Sequence, residues 1–295
     1  MKFGNLIIAG LVTGSIYAVF AVCIALWYRV SNILNLAVGD FAMVGALGVD
    51  SLAREKHWPL VPAIAVTLAA AAGTAYLYDR VVLHLAQDGP RRQEGIVITF
   101  FFTLALSFFI SGVAKVLFGT NAHAAPGLWP GNSLTFLTGL HIDRAGVLVL
   151  GCAVMSGLLF TAYLRYTLSG KALEACGENH LGARIVGIDT RRYRRIIFVG
   201  TAILAAVFGI LESPITGFTY NSGAIISLTG FLAAACGGFQ KPGRAVAAGI
   251  GIGILEALLG GYVSAQYAQT LLYAVLALAV LARPGTFGLR TAVAG

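Results

Sequence analysis

Ser169-Gly-Lys-Ala-Leu-Glu-Ala-Cys-Gly-Glu-Asn-His-Leu-Gly-Ala-Arg-Ile-Val-Gly-Ile-Asp-Thr-Arg-Arg-Tyr-Arg-Arg195 is a long polar interruption between two apolar runs. It carries Lys171, Arg184, Arg191, Arg192, Arg194 and Arg195, with Arg165 just before it. A basic segment beside apolar spans is retained on the cytoplasmic side of a membrane. Ala, Leu, Ile and Val are spread among its charges, unlike a disordered linker. The stretch therefore reads as a short helical platform on the cytoplasmic face, to be gripped by a soluble partner.

The rest of the chain fits that frame. Hydrophobic residues make up 58% of the 295 and charged ones only 11%, against roughly 25% charged in a soluble domain. Mean hydropathy is +0.84. Backbone groups in lipid must be satisfied internally, and the apolar runs are continuous rather than alternating, so the fold class is an all-α polytopic bundle and not a β-barrel. Candidate spans are Asn5–Trp27, Asn32–Leu52, Leu60–Tyr78, Gly95–Leu117, Ala145–Leu164, Ile196–Leu211, Ile225–Gly237, Ala245–Gly261 and Thr270–Leu281. Several fall short of the ~20 residues that cross a bilayer. The weakest, Ile225–Gly237, is either re-entrant or extends back through Gly223, so the expectation is eight or nine transmembrane helices, nine preferred. The whole of 1–295 reads as one transmembrane domain, with the polar loop over 165–195. The first apolar run has no A-x-A-like cleavage site and reads as a span that stays.

With that loop inside and the spans alternating, fifteen of the 20 Lys and Arg residues fall inside. Lys2, Arg54, Lys56, Lys115 and Arg144 fall outside. This places the N-terminus outside and the C-terminus inside. It also explains the net charge of +8 as topology signals rather than a nucleic-acid surface.

Little in the chain points to chemistry. Cys23, Cys152, Cys176 and Cys236 lack metal spacing and read as small packing residues. His123 and His141 lie in the outer loop Gly119–Arg144, which reads as a polar loop with Trp129 at the interface rather than a metal site. Gly249-Ile-Gly-Ile-Gly253 mimics a nucleotide fingerprint, but no strand precedes it, so it reads as helix packing by small residues. No Walker A loop and no Ser/His/Asp set is present. Catalysis by this chain is not expected, and ATP, if used, belongs to another subunit.

Three acids stand within apolar surroundings. Asp40 lies in Asn35-Leu-Ala-Val-Gly-Asp-Phe. If its helix starts near Asn32, Asp40 is about 12 Å in. It then either lines a path or pairs with Arg29 or Lys241. Glu212 precedes Ser213-Pro214, with Thr216, Tyr220 and Asn221 following in a Gly-rich stretch. The segment Glu212–Ser222 reads as a substrate-facing break or as an external loop. Glu256 has no neighbour of opposite sign in sequence and faces the bundle interior or a second copy.

Three patches, taken together, resemble the branched-chain amino acid ABC permease family. Gly170-Lys171-Ala172, Ala175, Asn179, Ala183 and Gly187-Ile188 are similar to its cytoplasmic coupling loop. Asn35-Leu-Ala-Val-Gly39-Asp40-Phe41 resembles its Asn-Phe-Ala-His-Gly-Glu-Phe patch. Phe231 to Gly243, with Gly237-Gly238 and Pro242-Gly243, resembles its Gly-Gly-x-Gly-Ser-x-Pro-Gly turn. The likeness covers nearly the whole chain and is closer to the shorter of the family's two permease types. Val38, Asp40 and Gln240-Lys241 depart from the pattern.

The resemblance implies a high-affinity importer of the inner membrane. A second permease shares the path, two cytoplasmic ATPases use the ATP, and an extracytoplasmic binding protein delivers an amino acid, or urea or a short amide. No cofactor would be bound by this chain. It also implies a coupling loop at Lys171, Ala172, Ala175, Asn179, Ala183, Arg184 and Gly187. Asn35, Asp40, Thr216, Tyr220 and Asn221 are the candidate path residues. The rival is an ion-coupled secondary transporter, which calls for two related halves with midplane ion ligands; neither is evident in the sequence.

The orientation is directly measurable. A cysteine replacing Glu178 is expected to be shielded from impermeant thiol reagents in intact cells, and one replacing Gly131 to be labelled. The reverse pattern inverts the topology.

Overall fold

The computed structural model describes residues 2–31, 33–83, 92–128, 134–136, 140–178, 180–239, 242–264 and 266–282. Among them are eleven α-helices: α1 (Lys2–Ser31), α2 (Val38–Asp50), α3 (Leu60–Tyr78), α4 (Arg92–Phe118), α5 (Arg144–Tyr166), α6 (Leu168–Glu178), α7 (His180–Ile185), α8 (Thr190–Thr216), α9 (Ser222–Gly237), α10 (Pro242–Tyr262) and α11 (Ala268–Ala282). Single π-type turns follow α2 (Ser51–Glu55) and α3 (Asp79–Leu83). Between α4 and α5 two short strands pair antiparallel, β1 (Leu134–Phe136) with β2 (Leu140–Ile142). Six helices are long and apolar enough to cross a membrane, and α9 and α11 are shorter apolar helices.

The helices follow the apolar runs, with three corrections. The second span does not begin at Asn32, which lies outside the described residues. Residues 33–37 are non-helical and α2 starts at Val38, so Asp40 is in the first helical turn. The sixth span runs from Thr190 to Thr216. It takes Arg191, Arg192, Arg194 and Arg195 from the platform into its opening turns, and it continues through Pro214. The expected break over Glu212–Ser222 thus shrinks to 217–221. The weakest run is a helix that does extend back through Gly223.

Short as it is, α2 is the hub: eleven of its 13 residues are buried. Lipid supplies no hydrophobic force between helices, so association depends on close backbone approach. Three glycines allow it toward three different helices. A Cβ on Gly39 would strike Gly223 and Ser227 of α9, one on Gly45 would strike Ala206 of α8, and one on Gly48 would meet Thr67 of α3. From the other side, Gly209 of α8 abuts Ala42. The Gly249–Gly253 run packs on α1 as the small-residue reading expects: Gly249 faces Ala18, Gly253 faces Gly14, and Gly10 faces Ile254 at 2.7 Å from a would-be Cβ.

Polar contacts sort the helix ends onto two faces. On one, Arg29 at the end of α1 pairs with Glu178 of α6 at 3.8 Å. There too, Asp79 at the end of α3 binds Arg194 at 3.2 Å and Arg195 at 2.9 Å, at the start of α8. On the other, Asp50 at the end of α2 contacts His123 Nδ1 at 2.9 Å and Arg54 at 3.2 Å. His123 also exchanges backbone hydrogen bonds with Phe218, and Ala125 N–H donates to Ser213 Oγ beside the end of α8. The outer-loop histidine is therefore a brace between loops rather than a free polar residue.

Gly45→Val is expected to cost about 3 kcal/mol or more by overpacking the α2–α8 contact and to cut the yield of folded protein. Gly73→Ala, with nothing within 4 Å of its would-be Cβ, is expected to leave thermal unfolding in detergent at or slightly above the original temperature.

Candidate translocation and coupling sites

The platform is two short helices at the end of α5. Thr167 turns the chain: its hydroxyl donates to Tyr163 O at 2.6 Å and accepts from Gly170 N–H at 2.9 Å, capping α6. Gly170, Leu173 and Cys176 form the buried face of α6, at the spacing that puts them on one side. Gly177 lies against the Arg29 side chain. Burial, with the Asp189 carboxylate adding to it, pushes the Cys176 thiol above its ordinary range. α7 closes with a Schellman turn: Gly187 N–H donates to Arg184 O and Ile188 N–H to Ala183 O, with Gly187 at φ +88°. Asp189 then caps α8, accepting from the N–H groups of Arg191 and Arg192.

Among the expected coupling residues, Lys171, Arg184 and Gly187 are exposed, Ala172 and Ala175 half-buried and Ala183 buried. Asn179 lies outside the described residues. Ala183 thus serves packing, and Gly187 has a local backbone reason to be glycine. Sequence reasoning missed the most exposed part of this surface. Leu168 is 87% exposed, Ile185 86% and Val186 80%. These exposed apolar side chains lie in the same segment as the exposed Lys171 and Arg184. The available signal was two consecutive aliphatics at a helix end followed by glycine.

Within the bundle, Asp40 is fully buried. Of the two expected partners, Arg29 is engaged with Glu178, and Lys241 lies outside the described residues. Asp40 Oδ1 accepts from Ser111 of α4 at 3.3 Å, with the Ser107 hydroxyl alongside. It also sits against Gly223 in the first turn of α9. A carboxylate in the first turn of its own helix and at the start of another is favoured by both dipoles. Asn35, the other expected residue on this segment, is buried and spends its Oδ1 on Ala37 N–H at 2.9 Å, which shapes the entry to α2.

Thr216 and Asn221 are exposed at the face opposite the platform. Tyr220 is half-buried, with the Lys115 ammonium 5.3 Å from its ring centre. Through Gly223 the structure brings this loop near Asp40, whereas Asn35 stays with its own turn. Reasoning from sequence named Glu256 but not its partner: the Tyr17 hydroxyl of α1 hydrogen-bonds to it.

Comparison with known proteins follows this geometry. Residues 6–281 match the family model described as branched-chain amino acid transport system / permease component. The chain belongs to this family. It is a multi-pass membrane permease component, not an enzyme. The permease is 28% identical over 93% of its length to the high-affinity branched-chain amino acid transport system permease protein LivH of Escherichia coli K12, covering 92% of that protein. It is 25% identical over 94% to BraD of Pseudomonas aeruginosa, covering 93%. It is also 27% identical over 90% to the ribose import permease protein RbsC of Escherichia coli K12, covering 82%. A solved structure, PsaBC from Streptococcus pneumoniae in complex with Fab, superposes with TM-score 0.50 at 16% identity, over 92% of this chain and 89% of that one; it supports the fold alone.

The Asp79 cluster ties the permease's platform side together. Asp79→Asn leaves two arginines facing a neutral amide in a buried site and is expected to cost about 3 kcal/mol. Thermal unfolding of the purified chain checks this, and unchanged stability would dissolve the proposed tie between α3 and α8.

Proposed function

We propose that this chain is one of two permease subunits of an ATP-driven importer for branched-chain or related amino acids in the bacterial cytoplasmic membrane. It works with a second, non-identical permease, two cytoplasmic ATPases and an extracytoplasmic binding protein, and crosses the bilayer nine times. The observation that carries the reading is the platform. An exposed apolar patch sits on two helices that are joined by Thr167 to α5, by Arg29–Glu178 to α1 and by the Asp189 cap to α8. The chain has no nucleotide motif of its own. Motion imposed on α6 and α7 by ATPase closure passes to α1 and α8, and from α8 to α2 through the Gly45–Ala206 and Gly209–Ala42 contacts. That is the rigid-body coupling that alternating access requires.

Nine passes fit the placement of the helix ends on two faces, with α2 and α9 completing spans that neither could cross alone at 13 and 16 residues. The amino-acid assignment leans on the LivH and BraD likeness. A second reading, a sugar substrate, is favoured by the RbsC likeness over most of the chain. Uptake of labelled leucine and of ribose by proteoliposomes holding the complete transporter separates them. Leucine uptake that needs ATP and the binding protein is the expected result, and ribose uptake alone overturns the assignment.

Ala175→Arg places a long cation at the half-buried edge of the platform. ATPase subunits are expected to co-purify at lower yield while the bundle folds normally. Normal recovery with coupled ATP hydrolysis would remove the platform from the ATPase contact.

A further inference from the structure

The face opposite the platform holds two acids that form no ion pair among the described residues. Glu212 is 6% exposed in the last turns of α8, and Glu256 is half-buried on α10. They lie close enough to repel each other, and Tyr17 of α1 lies within the field of both. Each carboxylate has one neutral hydrogen-bond donor. Thr216 serves Glu212 and Tyr17 serves Glu256. Each keeps one buried oxygen, Oε2, with no partner. The negative end of the α8 dipole sits one turn beyond Glu212.

We propose that Glu212 and Glu256, with the Tyr17 hydroxyl, form a binding site for a small cation, and that its occupant is the ammonium group of an amino-acid substrate entering the path. An ammonium has three donors and no acceptor. It can donate to a vacant Oε2 and offset the negative charge that the two acids share. Thr216, hydrogen-bonded to Glu212, is exposed and gives the site its opening to that face. The chemistry differs from every other buried acid in the described fold: Asp79 has two arginines, Asp50 has His123 and Arg54, and Asp40 has serine hydroxyls and helix starts. Asp40 also keeps a buried Oδ2 without a hydrogen-bond partner, so among the described residues what sets Glu212 and Glu256 apart is that two such acids act on each other across one region.

This inference rests on the amino-acid reading, and its test separates the two. The permease–ATPase complex, purified without binding protein, is unfolded thermally in the presence of L-leucine, of its hydroxy-acid analogue 2-hydroxy-4-methylpentanoate, and of sodium or choline chloride. Leucine is expected to raise the transition temperature and the hydroxy acid to leave it unchanged. Glu212→Gln, which keeps the shape and the Thr216 hydrogen bond, is expected to abolish the leucine shift. It should also lower leucine uptake per assembled transporter about tenfold, the loss of one charged hydrogen bond. Glu256→Gln is expected to do the same. Thr74→Ala, on α3 away from the site, should match the parent in both readouts.

Equal shifts from leucine and its hydroxy analogue, or no leucine shift in the parent complex, would overturn the site. A shift from sodium to which leucine adds nothing overturns the substrate assignment. If a Gln variant fails to assemble, the comparison of leucine with the hydroxy acid on the parent complex decides alone. Should the complete parent transporter carry ribose and no amino acid, the functional reading falls. Should it carry leucine with Gln variants unimpaired, that reading stands and the site falls.

Discussion

A helix that begins inside a bundle must satisfy its first backbone N–H groups there, since lipid offers no partner. α2 is that helix, and the arrangement of its neighbours follows from the requirement. Gly39 N–H donates to Ser227 Oγ at 2.8 Å. Such a bond needs the backbones of α2 and α9 nearly in contact, which only Gly39 and Gly223 permit. Asn35 satisfies Ala37 N–H one turn earlier. Asp40 adds a negative charge where two helix starts meet. Any side chain at Gly39 or Gly223 would separate the helices and leave buried donors unpaired.

The buried acids show how the same problem is solved differently at each depth. Charge away from water needs a partner. Asp79, at the platform face, takes two arginines from the opening turns of α8, and so joins α3 to the helix that leads away from the platform. Asp50, at the opposite face, holds His123, whose other ring nitrogen contacts Phe118 O at 2.9 Å. That triad fastens α2, the end of α4 and the loop before α5. Among the described residues, Asp40 between them has neutral hydroxyls and helix starts beside it. Asp40 Oδ2, like the Oε2 atoms of Glu212 and Glu256, has no hydrogen-bond partner among the described residues, but Glu212 and Glu256 are two acids acting on each other, which is why they mark a position for a cation from outside.

These ties give the molecule a mechanical sense. The platform touches α1 and α5 directly and is continuous with α8, and α8 is the helix most closely interlocked with α2 through glycine and alanine backbones. Close-packed backbones transmit displacement because there are no flexible side chains to absorb it. Pro214, near the far end of α8, removes one backbone hydrogen bond there, just where the chain passes Glu212 and Thr216.

The sequence by itself determined the class, the run of apolar helices, the placement of basic residues and the polar platform. Those properties are local: hydropathy over about 20 residues, charge at span ends and glycine spacing can be read without knowing who packs on whom. It also determined that Gly249–Gly253 is a packing stripe. Tertiary structure alone decided where α2 starts, because the non-helical segment from Ile33 to Ala37 is as apolar as a helix and is stabilised by Asn35 and by Ser227, 188 residues away from Gly39 in sequence. It decided the partner of Asp40 among the described residues, a serine hydroxyl of α4, with Gly223 of α9 packed against it. And it brought Tyr17, Glu212 and Glu256 together from α1, α8 and α10, a juxtaposition that no sequence spacing encodes, because it depends on how three helices cross.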